Sequence, residues 1–187
     1  AWQYALSLEQ FVGMELQRDA KFNQYDALNE GWATVLPSLP IEEGSGVKVG
    51  EFSGKLEDLQ GRYNLNNVIN QSDLPDQEQL TILRNIVLGA DLPAGFASAV
   101  VDWLDKNEVI HDLDGAESDY YLSSPIPYRA ANMAFSDVSE LRLLRLELPN
   151  EKKEEALRSL QGMVTTLPSI AATKINVNTV ENQTLLE

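Results

Sequence analysis

Changes in the period of the apolar residues restrict this chain to a mixed α and β fold. From Ala1 to about Lys21, Leu8, Phe11, Val12 and Leu16 recur at helical steps between Glu9, Gln10, Glu15 and Gln17, which predicts an amphipathic helix. Trp32 to Pro37 and Pro40 then form an apolar, proline-broken stretch suited to a loop or sheet edge and not to a central strand. Val47 to Phe52 alternates apolar and polar residues, and Leu56 to Asn66 follows beyond Gly54, so a hairpin of these two short strands is expected.

After Asn67 the period becomes helical. Leu80, Leu83 and Val87, then Phe96, Val100 and Trp103, then Val138 and Leu141, then Leu157, Leu160 and Val164 keep steps of three, four or seven, which predicts four further helices. Ser136 and Asn150 stand where helix N-caps are needed, and Gly89 and Gly162 lie near helix ends. Ile175 to Thr179 returns to alternation. The order is helix, hairpin, helical block and strand, an α+β protein whose helical block is an insertion between strands. At 187 residues there is room for one domain, or for one domain with a large insertion.

Composition removes most chemistry. The chain has no cysteine, so disulfides, cysteine nucleophiles, iron–sulfur clusters and thiolate zinc sites are excluded. It has one histidine, His111, which rules out any metal site needing two imidazoles. Lys plus Arg number 14 against 29 Asp plus Glu, a net charge of −15 that repels nucleic-acid backbones and anionic lipid. No run of about 18 apolar residues is present to span a membrane. The chain opens in what reads as mid-helix and closes inside a helix-like phrase, so further residues are expected at both ends.

The densest group of oxygen ligands is Asp102, Asp105, Asn107 and Glu108, followed by Asp112, Asp114, Glu117 and Asp119. Two readings stay open on composition. One is a solvated acidic loop with an Asp-Gly turn at Asp114-Gly115; the other is an oxygen cage for a hard cation such as calcium, which takes about six to eight oxygens. An EF-hand is excluded, because Ile110 stands where a loop beginning at Asp105 needs glycine. No glycine-rich phosphate loop or second histidine accompanies these carboxylates, and His111 lacks a nucleophile in recognisable context, so neither points to catalysis. Asn182-Gln183-Thr184 fits a glycosylation sequon too common to carry weight, while Trp32, Trp103 and Tyr120, Tyr121 and Tyr128 read as core or interface.

Several phrases together resemble one family, the minor pseudopilin K of bacterial type II secretion systems, also called general secretion pathway protein K. They are Asp58 to Asn67 (DLQGRYNLNN); Asp102 to Asp105 (DWLD); Gly115-Ala116-Glu117 with Tyr120-Tyr121; Pro127 to Asn132 (PYRAAN); Ser139 to Arg142 (SELR); and Ile175 to Thr179 (INVNT). The opening helix with Trp32 and Leu36-Pro37 also fits.

The resemblance implies a pilin-like N-terminal helix packed on a small antiparallel sheet, with a large all-helical domain inserted between strands. Residues 1–67 and 175–187 would form the pilin-like part and 68–174 the inserted domain. It further implies a membrane-spanning first half of the opening helix, processed by a prepilin peptidase, so that the full protein is anchored in the bacterial inner membrane and works in the periplasm. The implied function is assembly at the tip of the pseudopilus with minor pseudopilins I and J, and with minor pseudopilin H as a further candidate partner. The loop from Asp105 to Asp119 resembles the family's calcium-binding region. Carried over by position, Asp105, Asp114, Glu117 and Asp119 are the implied calcium ligands, ahead of Glu108 and Asp112; Ser118 departs from the acidic residue usual there. The alternatives are a free periplasmic calcium-binding module and a type IV pilus-like minor pilin, with an enzyme third.

Overall fold

The expected opening helix is present as α1, Trp2–Asp19, and it buries none of its residues. The computed structural model describes residues 2–35, 38–42, 44, 46–168, 171–182 and 185, so Leu36, Pro37 and the last two residues of the sequon lie outside the described residues. Contacts divide the chain into two units, Ala1–Asp58 and Leu59–Glu187. Residues 59–67 and 175–182 therefore group with the helical unit.

In the first unit a 3₁₀ turn at Gly31–Ala33 carries the buried Trp32, whose indole N–H donates to Glu30 Oε2 at 3.1 Å. The hairpin forms one step earlier in the chain than the alternation suggests. β1 (Leu39–Glu42) pairs antiparallel with β2 (Lys48–Phe52), placing Leu39 opposite Phe52 and Ile41 opposite Gly50, with an irregularity between Ile41 and Glu42. Pro40 is tolerated because a two-stranded ribbon consists of edges only. The Tyr4 and Phe52 rings lie 5.7 Å apart, linking α1 to β2.

Of Leu56–Asn66, expected as the second hairpin strand, the part from Leu59 onward instead supplies the floor of the second unit. β3 (Tyr63–Asn64) pairs in parallel with β4 (Val164–Thr165), across the whole intervening helical block. The helices are therefore inserted between two paired strands. The amides of the following residues tie distant chain together. Asn64 Oδ1 accepts from the Leu167 N–H at 3.0 Å, Asn66 Oδ1 from the Phe135 N–H at 2.8 Å, and Asn67 Oδ1 from the Thr173 N–H at 2.8 Å. Buried backbone groups outside the ladders find partners in this way.

The helices cover this floor. α2 (Gln77–Gly89) is capped by Asp76, which accepts from the Glu78 and Gln79 amides, and it buries Leu80, Leu83, Ile86 and Val87 on one stripe. α3 (Phe96–Leu104) is buried along its full length and α4 (Ser118–Leu122) is short. α5 (Asn150–Met163) buries Ala156, Leu157, Leu160 and Met163. Three local expectations are corrected. Val138–Leu143 is a 3₁₀ helix, capped by Asp137 and not Ser136, with Glu140 completing a capping box. Asn150 is the first residue of α5, which has no side-chain cap. Ile175–Thr179 is not a strand: Thr179 closes a turn onto the Asn176 carbonyl, and its own carbonyl would lie 2.6 Å from a Cβ added to Gly61. Among the described residues no helix is long and apolar enough to cross a membrane.

Candidate metal centre

Because α3 is apolar on nearly every side, it is surrounded by core, and its one internal carboxylate is carried inward with it. Asp102 is 0% exposed. Asp105 follows three residues later on the same helix face, at the C-cap, and is also buried. The chain returns through a loop to Glu117, the residue before α4, which is 4% exposed. Each of the three offers a carboxylate oxygen within 4.8 Å of those of the other two.

The loop between them is held by its own polar side chains. Asp105 Oδ1 accepts from the Asn107 N–H at 3.1 Å, Asn107 Oδ1 from Val109 at 2.8 Å, and Asp112 Oδ1 from Asp114 at 3.0 Å, each bond spanning two residues as in Asx turns. Asp102 Oδ1 accepts from the His111 N–H at 2.8 Å. Gly115 lies against the other oxygen of Asp102, which a Cβ at that position would approach to 2.1 Å. Glu108 accepts from the Ser118 N–H and hydroxyl and from the Asn132 amide, so it organises the start of α4.

Among the described residues, three buried carboxylate oxygens lack a hydrogen-bond partner: Asp102 Oδ2 and both oxygens of Glu117. Burial of such atoms without compensation is costly. Desolvation, then the nearby Asp102, Asp105 and Glu108 charges, push the Glu117 carboxyl up to about 8. Desolvation also raises Asp102 to about 6 against the opposing His111 hydrogen bond, and raises Asp105.

Such a site fits a hard cation. All the donors are oxygen, and with calcium–oxygen bonds of about 2.4 Å no two ligands of one ion can lie more than about 4.8 Å apart, a limit that the three carboxylates meet. Asp102, Asp105 and Glu117 would hold the ion, and Glu117 opens onto a surface concavity of about 460 Å³ shared with Glu108, Asp119, Tyr120 and Arg145.

Of the residues expected from sequence, Asp105 and Glu117 come together. Asp114 turns to Gly95 at the start of α3, where an added Cβ would meet its carboxylate at 2.5 Å. Asp112 accepts from the Ser98 hydroxyl at 2.6 Å, and Asp119 is exposed on the rim of the concavity. Sequence reasoning left Asp102 out of the ligand set, although its spacing of three from Asp105 on a helix was the available signal.

A mixed fold with a helical block between paired strands and a buried carboxylate centre narrows the comparison. A family model for type II secretion system (T2SS), protein K, matches residues 61–169. The type II secretion system protein K of Pseudomonas aeruginosa is 34% identical over 188 residues, covering 96% of this chain and 53% of that protein. Its counterpart from Pectobacterium carotovorum subsp. carotovorum is 31% identical over 186 residues, covering 94% and 53%. The chain belongs to the type II secretion system protein K family. It spans about half the length of these curated relatives. Its fold is similar to that of a chain in the crystal structure of the GspK-GspI-GspJ complex from the type 2 secretion system of enterotoxigenic Escherichia coli, with a TM-score of 0.81 at 23% identity over 98% of this chain and 64% of that one.

Proposed function

We propose that this chain is part of a minor pseudopilin that works in the periplasm at the tip of a type II secretion pseudopilus, initiating or capping the filament with minor pseudopilins I and J. Its role is assembly and not catalysis. In the full protein an apolar extension of α1 anchors it in the inner membrane until it enters the filament. The family match carries this reading. The surface of α1 supports it: Trp2, Tyr4, Leu6, Phe11, Met14 and Leu16 are all exposed, an apolar load suited to helix–helix contact in an assembly. The test is co-purification of the full-length protein with minor pseudopilins I and J. Charged substitution of Phe11 and Leu16 to Glu is expected to weaken capture while leaving the melting of the helical unit unchanged; undiminished capture refutes the role of α1.

The same reading includes a structural calcium ion held by Asp102, Asp105 and Glu117, supported by the three orphaned buried oxygens. Binding removes like-charge repulsion and stabilises the fold by RT ln(1 + [L]/Kd), about 2.7 kcal/mol at a hundredfold excess. Magnesium, with its shorter bonds and tightly held water, is expected to do much less. Calorimetric titration of metal-stripped protein beside an Asp102→Asn, Glu117→Gln variant decides it: no heat in the wild type rejects the ion, and unchanged heat in the variant rejects these ligands.

A further inference from the structure

Glu117 is the ligand candidate with the least support from its own hydrogen bonds, since neither oxygen has a partner among the described residues. Its place is set by the chain on either side, and one side chain holds both sides. Arg145 Nη1 donates to the Leu113 carbonyl at 3.3 Å and to the Gly115 carbonyl at 3.0 Å, on the N-terminal side of Glu117. The same guanidinium lies 5.2 Å from the centre of the Tyr120 ring, one helical turn beyond Glu117 in α4. The Arg145 backbone N–H donates to Tyr121 Oη at 3.3 Å, so its main chain is also fixed to α4. A cation so near a calcium site would repel the ion, but Glu147 Oε1 accepts from both Nε at 3.0 Å and Nη2 at 2.6 Å. With its charge matched, Arg145 contributes geometry.

We propose that Arg145 is the positioning residue of the centre: by bracketing Gly115 to Tyr120 it holds Glu117 inward and Gly115 against Asp102, so that the two carboxylates are arranged before the ion arrives. The proposal rests on the calcium reading above. The planar fork of the guanidinium suits this position, because it reaches carbonyls, a carboxylate and a ring from one plane, whereas an ammonium carries its three donors on a single atom and has no plane to lay against the ring. Partners outside the first ring of ligands commonly alter metal affinity 10- to 100-fold.

The test uses Arg145→Lys and Arg145→Gln in metal-stripped protein, with three measurements. Calcium affinity by calorimetry is expected to fall about 10- to 100-fold in both. Amide exchange at residues 115–118 without the ion should accelerate at least about tenfold, with α2 and α5 amides unchanged, as expected of a local opening. The luminescence lifetime of bound terbium should shorten as Glu117 gives way to water. If Arg145→Lys fails to fold, Tyr120→Leu removes the ring face under the guanidinium, together with the edge-on contact of Tyr120 with Tyr121, while leaving the Arg145 hydrogen bonds in place, and should show the same changes at smaller size. Exchange at 115–118 equal to wild type, or calcium affinity within threefold of it in Arg145→Lys, overturns the proposal. Absence of calcium heat in the wild type overturns the calcium reading instead, and the exchange arm then still judges the hold of Arg145 on this segment.

Discussion

Calcium binding should release protons, and the count follows from the site. Glu117 is pushed up to about 8 and Asp102 to about 6, and both must ionise to hold the ion. At pH 7 the cation-free Glu117 carries about 0.9 of a proton and Asp102 about 0.1, so about one proton leaves per ion bound. At pH 5.5 the corresponding values are about 1.0 and 0.8, so release from these two rises to about 1.8, to which Asp105, also raised, adds. At pH 9 it falls to about 0.1. The affinity should therefore rise about tenfold per pH unit around neutrality, more steeply on the acid side, and level off in mild alkali. Titration calorimetry in buffers of different ionisation enthalpy reads the proton number directly from the slope of heat against that enthalpy. Glu117→Gln should lose the release at pH 7 together with the tight binding. Tight binding at pH 7 with heat independent of buffer would refute the reasoning, because it would mean that the ion takes up residence without ionising Glu117.

The same shifts set the stability of the cation-free protein. Both carboxyls are raised above their unfolded values, 4.5 for Glu117 and 3.8 for Asp102, so their contribution is complete below those values and is lost as pH rises toward about 8 and about 6 respectively. Melting in a chelator should accordingly fall from pH 5 to pH 8 and calcium should offset the fall; a melting temperature that climbs with pH in the chelator contradicts the assignment. Gly115→Ala places a Cβ about where Asp102 Oδ2 now lies, 2.1 Å away, and is expected to cost about 1–3 kcal/mol in thermal unfolding and to weaken calcium binding as Asp102 is displaced. Wild-type stability and affinity in that variant would show that the contact is not needed.

Much of the secondary structure was legible because it depends on local period. α1, α2, α3 and α5 lie where apolar residues repeat at helical spacing, and β2 lies where they alternate. The exclusion of thiol chemistry and of any metal site needing two imidazoles also follows from composition. The strand pairing was not legible. β2 turned to β1 and β3 to β4, a partner about 100 residues away, since pairing is decided by which edges burial brings together and not by adjacency in the chain. α4 escaped notice because five residues are too few to show a period.

The ligand set divides in the same way. The acidic run and the family resemblance made Asp105 and Glu117 candidates alongside Asp114 and Asp119, with Asp112 behind them, and nothing along the chain separates those that come together from those that do not. Tertiary structure separated them: Asp112 took the Ser98 hydroxyl, Asp114 turned to Gly95, and Asp119 stayed in solvent. Asp102 was drawn into the centre because the apolar residues around it buried the helix that carries it. A carboxylate becomes a candidate ligand when packing removes it from water without giving it a partner, and that condition is set by contacts among residues far apart in the chain.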